Sequence, residues 1–304
     1  MKRLVLKDWI EAVRPWSYPV SLSPAIVALL DTIWLIKKGN VFPNIESRWY
    51  LGALAVLGAV LFHSAGNLIS DYHDFRTGID KAGNPGATSL TSGRFQPKQI
   101  LTFGLTFLAV GIAVGLLLLH FSGVGLLYVG VVGIAACLFY FLLKSRALGD
   151  LLIFIIFGPS IVMGVAFVML GYYEWLLFWV ALPEVFITVN VLHSNNTRDM
   201  QRDKAAGTTT FAKLLGLKAS IFYYCLLTVF TYSAVVVMIL LHILPVWTLL
   251  TWLTVPIAVR NCKTMLKARS SDTSPINDVD RMTAQLQLGF SVLMTVGLII
   301  ALIV

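Results

Sequence analysis

The 304-residue sequence has little charge: Lys, Arg, Asp and Glu make up 12% of it, against roughly 25% in an ordinary soluble domain. Hydrophobic residues account for 58%, and the mean hydropathy is +0.82. This composition excludes a soluble globular domain. It predicts an all-α, polytopic membrane protein.

Cysteine is also scarce, with three scattered residues, Cys137, Cys225 and Cys262. An odd, scattered set indicates neither a disulfide framework nor a thiolate metal site. We expect these side chains to pack as small apolar groups. A cleavable signal peptide is not expected either, because the first 16 residues are too charged and their apolar runs too short.

Long apolar runs dominate what is present, and about 20 such residues are needed to cross a bilayer. They predict about nine transmembrane helices, with eight or ten as alternatives. We expect a single domain, 1–304, built from two pseudo-repeat halves of roughly 1–145 and 146–304. The predicted spans are 17–36, 51–69, 100–120, 124–143, 148–170, 174–193, 218–243, 246–260 and 286–304.

The basic residues predict the orientation of these spans. If the N-terminus is inside, the inner segments hold 20 of the 23 Lys and Arg residues, which predicts N-in and C-out. The net charge of +8 is then explained by topology, and no nucleic-acid partner is expected. The long polar connections also fall inside, so we expect a cytoplasmic-membrane protein whose active site faces the cytoplasm.

A first polar cluster, "NLISDYHDFRTGID" at 67–80, closes the second span. Asn67, Asp71 and Asp74 share one face if the helix continues through them, and Asp80 follows. Carboxylates at one place repel each other unless a cation is present, and Mg²⁺ prefers oxygen ligands. Basic residues that could hold an anion follow closely: Arg76, Lys81, Arg94 and Lys98.

A second cluster, "NNTRDMQRD" at 195–203, closes another predicted span on the same side. Asn195, Asp199 and Asp203 have a spacing that again predicts one helical face. Two such clusters could hold two or more Mg²⁺ ions about a diphosphate. A diphosphate leaving from a carbon chain in the bilayer indicates a polyprenyl diphosphate. Further charge-assisted contacts are expected from Arg198, Arg202 and Lys204.

Together the two clusters resemble the paired Asp-rich motifs of the UbiA superfamily of intramembrane prenyltransferases. The form D-Y-x-D-x-x-x-G-x-D at 71–80 is most similar to 1,4-dihydroxy-2-naphthoate polyprenyltransferases of menaquinone synthesis. Nearly the whole chain fits, including "WIEAVRPWSYPVSLSP", "TSGR" and "KAAGTTTFAKLLG". The family's acceptor segment is represented only by "LLKSRALGD".

This resemblance implies a bundle of nine helices around a central cavity, with the two motifs facing each other at its cytoplasmic mouth. It implies Mg²⁺-dependent ionisation of an allylic polyprenyl diphosphate and alkylation of an aromatic acceptor beside membrane lipid. The expected catalytic and metal-holding residues are Asp71, Asp74, Asp199 and Asp203. The expected substrate-binding residues are Arg14, Asn67, Asp80, Lys81, Arg94, Tyr140, Lys144, Asn195, Arg198 and Lys204.

Alternatives remain open at this stage. The acceptor could be 4-hydroxybenzoate, homogentisate or a glycerol phosphate lipid instead of the naphthoate. A cation transporter could also place acids within spans, but it predicts broken helices at the bilayer midplane. Glu184, His63 and His193 could each face the cavity or serve as packed, hydrogen-bonded groups.

Overall fold

The computed structural model describes residues 4–39, 48–78, 88–205, 207–269 and 273–304, and within these ranges it is helical without a β-strand. The all-α prediction is confirmed. The helices are α1 (Leu6–Ala12), α2 (Pro19–Lys38), α3 (Trp49–Arg76), α4 (Thr88–Thr91), α5 (Pro97–Ser122), α6 (Leu126–Lys144), α7 (Gly149–Ile155), α8 (Ile161–Leu170), α9 (Leu176–Val180), α10 (Leu182–Arg198), α11 (Met200–Ala205), α12 (Phe211–Leu240), α13 (Val255–Met265) and α14 (Val279–Ile303).

The ends of the long helices follow from local sequence. Pro19 and Pro97 open α2 and α5, where a missing N–H costs nothing because that group has no helical partner. Gly39 closes α2 in the left-handed conformation, with φ 72°. Between α7 and α8 a π-helical turn, Ile156–Ser160, contains Pro159, which cannot continue a regular hydrogen-bond ladder.

Seven helical segments in the described ranges are long and apolar enough to cross a membrane. The other two predicted spans, 174–193 and 246–260, each consist of shorter pieces. The first is divided into α9 and α10 just before Pro183, and the second into a 3₁₀ segment, Val246–Thr254, followed by α13. The total of nine traverses, the N-in/C-out orientation and the two pseudo-repeat halves stay predictions.

The helices of the bundle pack around a central space. α3 packs against α5 and α6, α10 packs against α12 and α14, and α2 contacts α3, α8 and α14. The π-helical turn lies very close to α10 at Gly158, where a Cβ would be only 2.6 Å from Val185 Cγ2. The turn is therefore pressed against α10, which fixes one wall of the cavity described next.

Candidate active site

One cavity of about 550 Å³ lies between α3, α5, α6, the α7–α8 segment and the α10–α11 junction. The cavity has a polar end and an apolar arm, and α3 runs along both. Ala55 in the arm precedes Asp74 at the polar end by 19 residues, so the two positions are about 28 Å apart along the axis of α3. The arm is lined by small and aliphatic residues, Ala55, Gly58, Gly111, Gly115, Leu118, Val129, Gly130 and Gly133. The polar end is lined by Arg14, Asn67, Ser70, Asp74, Tyr140, Lys144, Asn195, Asp199, Arg202 and Asp203.

The first acidic motif lies on an unbroken helix, as its spacing predicted. Asp71 is buried on α3 and pairs with the guanidinium of Arg14. Asp74 is also buried, and Lys144 Nζ donates to its Oδ2 at 2.5 Å. Its other oxygen, Oδ1, has no protein donor. A buried acceptor without a donor at the wall of a cavity fits a bound cation.

Arg14 is held at the cavity by an unusual backbone conformation. Its φ is +56°, which costs a non-glycine residue about 1 kcal/mol. The Ser17 hydroxyl donates to the Arg14 carbonyl at 2.8 Å, and Asn67 Nδ2 donates to Ser17 Oγ at 3.0 Å. Arg14 Nε is buried without an acceptor. Asn67 thus helps to hold Arg14 in place through Ser17. The Nε–H of Arg14 is left available to donate to an anion.

His63 lines the same wall, but both of its ring nitrogens contact protein groups. Nδ1 lies 2.7 Å from Ser21 Oγ, and Nε2 lies 3.3 Å from Ser17 Oγ. Because Ser17 donates to the Arg14 carbonyl, its oxygen is left to accept from His63 Nε2–H. Nδ1 then accepts from Ser21. This arrangement describes a neutral histidine that supports the Arg14–Asn67 network, with no nitrogen open to the cavity.

The second acidic motif differs from its predicted form, because α10 ends at Arg198 and α11 begins at Met200. Asp199 sits at this junction and pairs with Arg198 at 2.7 Å and Arg202 at 2.8 Å. Asn195, Asp199 and Asp203 nevertheless all line the cavity. Burial and the neighbouring Asp199 carboxylate raise the pKa of Asp203 to about 6.

Arg198 does not line the cavity; it connects the second motif to the last helix. Besides Asp199, its guanidinium contacts Asp280 Oδ2 at 2.5 Å and the side-chain oxygen of Asn195. Asp280 lies 77 residues beyond the second motif in the sequence. Only the packing of α14 against α10 brings these two charges together.

Several expected site residues lie elsewhere. Arg94 pairs with Glu11 at 2.6 Å and Asp8 at 3.3 Å, away from the cavity lining. Lys204 is exposed on α11. Asp80 and Lys81 lie outside the described residues. Arg202, which was expected to add a charge-assisted contact, does line the polar end, and so does Ser70, which was not among the expected residues.

A preformed protein-only metal site is not found in the part of the chain that the structure describes, where no three His, Cys, Asp or Glu residues converge. Instead, Asp71, Asp74 and Asp199 are each paired with a basic side chain. Mg²⁺ commonly binds one or two carboxylates and completes its shell with waters and substrate phosphates. The donor set fits such an ion when it arrives with a diphosphate.

The comparisons with known proteins agree with this geometry. Residues 21–275 match the model of the UbiA prenyltransferase family. The chain belongs to the UbiA prenyltransferase family. It is 32% identical to the UbiA prenyltransferase domain-containing protein 1 of Gallus gallus over 308 residues, covering 96% of this chain and 85% of that protein. It is therefore an integral membrane transferase of prenyl groups.

Two solved structures share the fold of this UbiA-family chain. The apo structure of a UbiA homolog from Aeropyrum pernix K1 has a TM-score of 0.71 at 16% identity, covering 94% of this chain and 98% of that one. A UbiA homolog from Archaeoglobus fulgidus bound to DMAPP and Mg²⁺ has a TM-score of 0.53 at 13% identity, covering 95% and 99%. At these identities, the likeness concerns the helical architecture.

Proposed function

We propose that the protein transfers a polyprenyl group from an allylic polyprenyl diphosphate to 1,4-dihydroxy-2-naphthoate, with Mg²⁺, in menaquinone synthesis. The observation that carries this proposal is that one cavity combines a charged end with an apolar arm. Two acidic motifs from distant parts of the chain line the charged end, and small aliphatic residues line the arm. A diphosphate attached to a long hydrocarbon has the same division of polarity.

The charged end suits a metal–diphosphate complex. Mg²⁺, when bound, neutralises negative charge on the leaving diphosphate. Asp74 Oδ1 and the carboxylates of Asp199 and Asp203 would hold the cation. Lys144 and Arg202, which pair with Asp74 and Asp199, and the free Nε–H of Arg14 would contact the diphosphate.

The reaction then needs a site for an allylic carbocation and an aromatic ring. The carbon–oxygen bond breaks with its electron pair on the diphosphate, a carbon–carbon bond forms to the acceptor, and the ring loses a proton. Tyr140, Phe62 and Phe157 line the cavity next to the charged end. Their ring faces can stabilise a cation and pack against a planar acceptor.

The naphthoate is supported by the form of the first motif. The other acceptors, 4-hydroxybenzoate, homogentisate and a glycerol phosphate lipid, are the rivals that an assay must separate. We also propose the cytoplasmic membrane as the location, with the charged end facing the cytoplasm, because the basic residues concentrate on that side.

The deciding experiment is a product assay with purified protein in lipid nanodiscs, a radiolabelled polyprenyl diphosphate and each acceptor in parallel. We expect a labelled, prenylated product of the naphthoate that disappears with EDTA and with either Asp71→Ala or Asp199→Ala. Prenylation of another acceptor alone would overturn the naphthoate assignment. Ion flux without any prenylated product would favour the transporter alternative.

A further inference from the structure

A second polar cluster lies behind the cavity wall, on the side of α10 that faces α7 and α12. His193 is fully buried, and its Nδ1 lies 2.7 Å from Asp150 Oδ2. Its Nε2 lies 3.2 Å from the carbonyl oxygen of Ser220 on α12. Both ring nitrogens therefore have polar partners, and the Asp150–His193 pair is enclosed in the bundle.

The same pair spans the gap between the two acidic motifs. Asp150 follows Lys144, the partner of Asp74, by six residues, and His193 precedes Asn195 by two. In the described part of the chain α3 packs against α6 and α10 packs against α7, whereas α3 and α10 form no extensive contact of their own. The α6–α7 connection is therefore one of the routes that set the relative position of the motifs, beside the route through α2 and α14, and it is the one that lies next to Lys144 and Asn195.

Two further contacts reinforce this connection. Asn196 Nδ2 lies 3.4 Å from Asp150 Oδ1. Nearby, Ala147 N–H donates to the Thr209 carbonyl at 2.7 Å, and Thr209 N–H donates to the Ser145 carbonyl at 3.1 Å. The backbone after the second motif is thus joined to the loop that follows Lys144. Of these links, the Asp150–His193 pair is the one formed between two buried side chains.

We infer that the buried Asp150–His193 pair is a positioning pair, which fixes Asn195 and Asp199 relative to Asp74 and Lys144. The inference rests on the proposed function, because it assigns the pair to the geometry of the metal–diphosphate site. Neither residue lines the cavity, so neither contacts the substrate. Loss of the pair lets the two motifs move apart, and a complex held between them weakens.

The test compares Asp150→Asn, His193→Gln and the double variant in detergent. Tyr232→Phe is the matched control, because it removes a buried 2.6 Å hydrogen bond to Thr254 away from the cavity. The first readout is heat stabilisation by Mg²⁺ with a non-ionising prenyl thiodiphosphate, a binding measurement that needs no acceptor. The second readout is KM against kcat for the prenyl diphosphate.

Each single variant is expected to raise the Mg²⁺ concentration for half-maximal stabilisation by about 10-fold or more and to raise KM, whereas Tyr232→Phe lowers the melting temperature alone. The double variant removes the buried polar group left without its partner by either single change, so its melting temperature recovers in part while its Mg²⁺ requirement stays high. A normal Mg²⁺ requirement in the double variant would overturn the positioning role. Normal binding by the unsubstituted chain without naphthoate prenylation would overturn the proposed function instead.

Discussion

In both acidic motifs basic side chains neutralise the carboxylates, but these bases come from different parts of the chain. In the first, the bases come from distant segments: Arg14 lies 57 residues from Asp71, and Lys144 lies 70 residues from Asp74. In the second, Asp199 is neutralised by Arg198 and Arg202 from its own stretch. The first motif sits on one straight helix, and the second sits where α10 gives way to α11.

This difference shows how each motif obtains its counter-charges. The first motif acquires them only when the N-terminal arm, α3 and α6 have assembled. The second carries most of them locally, with one further link from Arg198 to Asp280 on α14. We therefore expect the counter-charges of the first motif to depend more strongly on the packing of the bundle.

The largest expected effect comes from removing one carboxylate from each motif. Asp74→Ala and Asp199→Ala should each lower kcat by at least about 100-fold, because each removes a group that would hold the metal opposite the developing charge. Initial rates with a labelled polyprenyl diphosphate measure this, and unchanged melting temperatures serve as the control. Full activity in either variant would show that one motif suffices.

Substitutions of the basic residues should distinguish the two motifs further. Lys144→Met is expected to raise KM for the prenyl diphosphate by about 10-fold, since it removes a part-buried charge-assisted contact. Arg202→Met, at a more exposed position, should raise it by about 3-fold. Lys98→Met, an exposed change outside the cavity, is the matched control. Equal effects of the two substitutions would contradict this difference between the two motifs.

A smaller effect is expected at Asp280, which contacts Arg198 from α14. Asp280→Asn should lower kcat/KM by about 2- to 5-fold, because Arg198 loses one of its partners and orients Asn195 and Asp199 less well. Asp278→Asn is the control, since Asp278 forms an exposed pair with Arg281. If both variants behave alike, the α14 contact has no part in orienting the motif.

The smallest effect is expected at Arg94. Its partners Asp8 and Glu11 lie outside the cavity, and about 42% of its side chain is exposed. Arg94→Gln should change kcat/KM by less than about 2-fold, as exposed pairs contribute little. A loss comparable to that of Lys144→Met would support Arg94 as a substrate-binding residue. It would also indicate that the N-terminal arm moves during turnover.

What the sequence could predict depended on whether the relevant residues are close along the chain. The shared face of Asn67, Asp71 and Asp74 was predictable because one uninterrupted helix carries all three. The break at Asp199 was not, since the local sequence continues in a helical pattern. The contacts of Arg198 with Asp280 and of His193 with Asp150 depend on how α7, α10 and α14 pack. Proximity in sequence favoured Arg94, although its side chain points to the N-terminal arm.

Asp31 gives a further instance of this limit. A carboxylate in a membrane-spanning helix ordinarily reaches water or a partner within the protein. The structure buries Asp31 completely, and neither of its oxygens has a protein donor. Hydropathy along one helix does not predict this burial, because it depends on the helices that pack on α2, among them α3, α8 and α14.

The apolar arm has a consequence for the size of the product. Gly115 and Gly130 both line it, and a Cβ at either position would meet no atom within 4 Å. Under the proposed function this arm holds the hydrocarbon tail, so the length of tail that it accepts is set in part at positions that carry no side chain. A single larger residue at one of them is expected to shorten the longest tail accepted without altering the chemistry at the charged end.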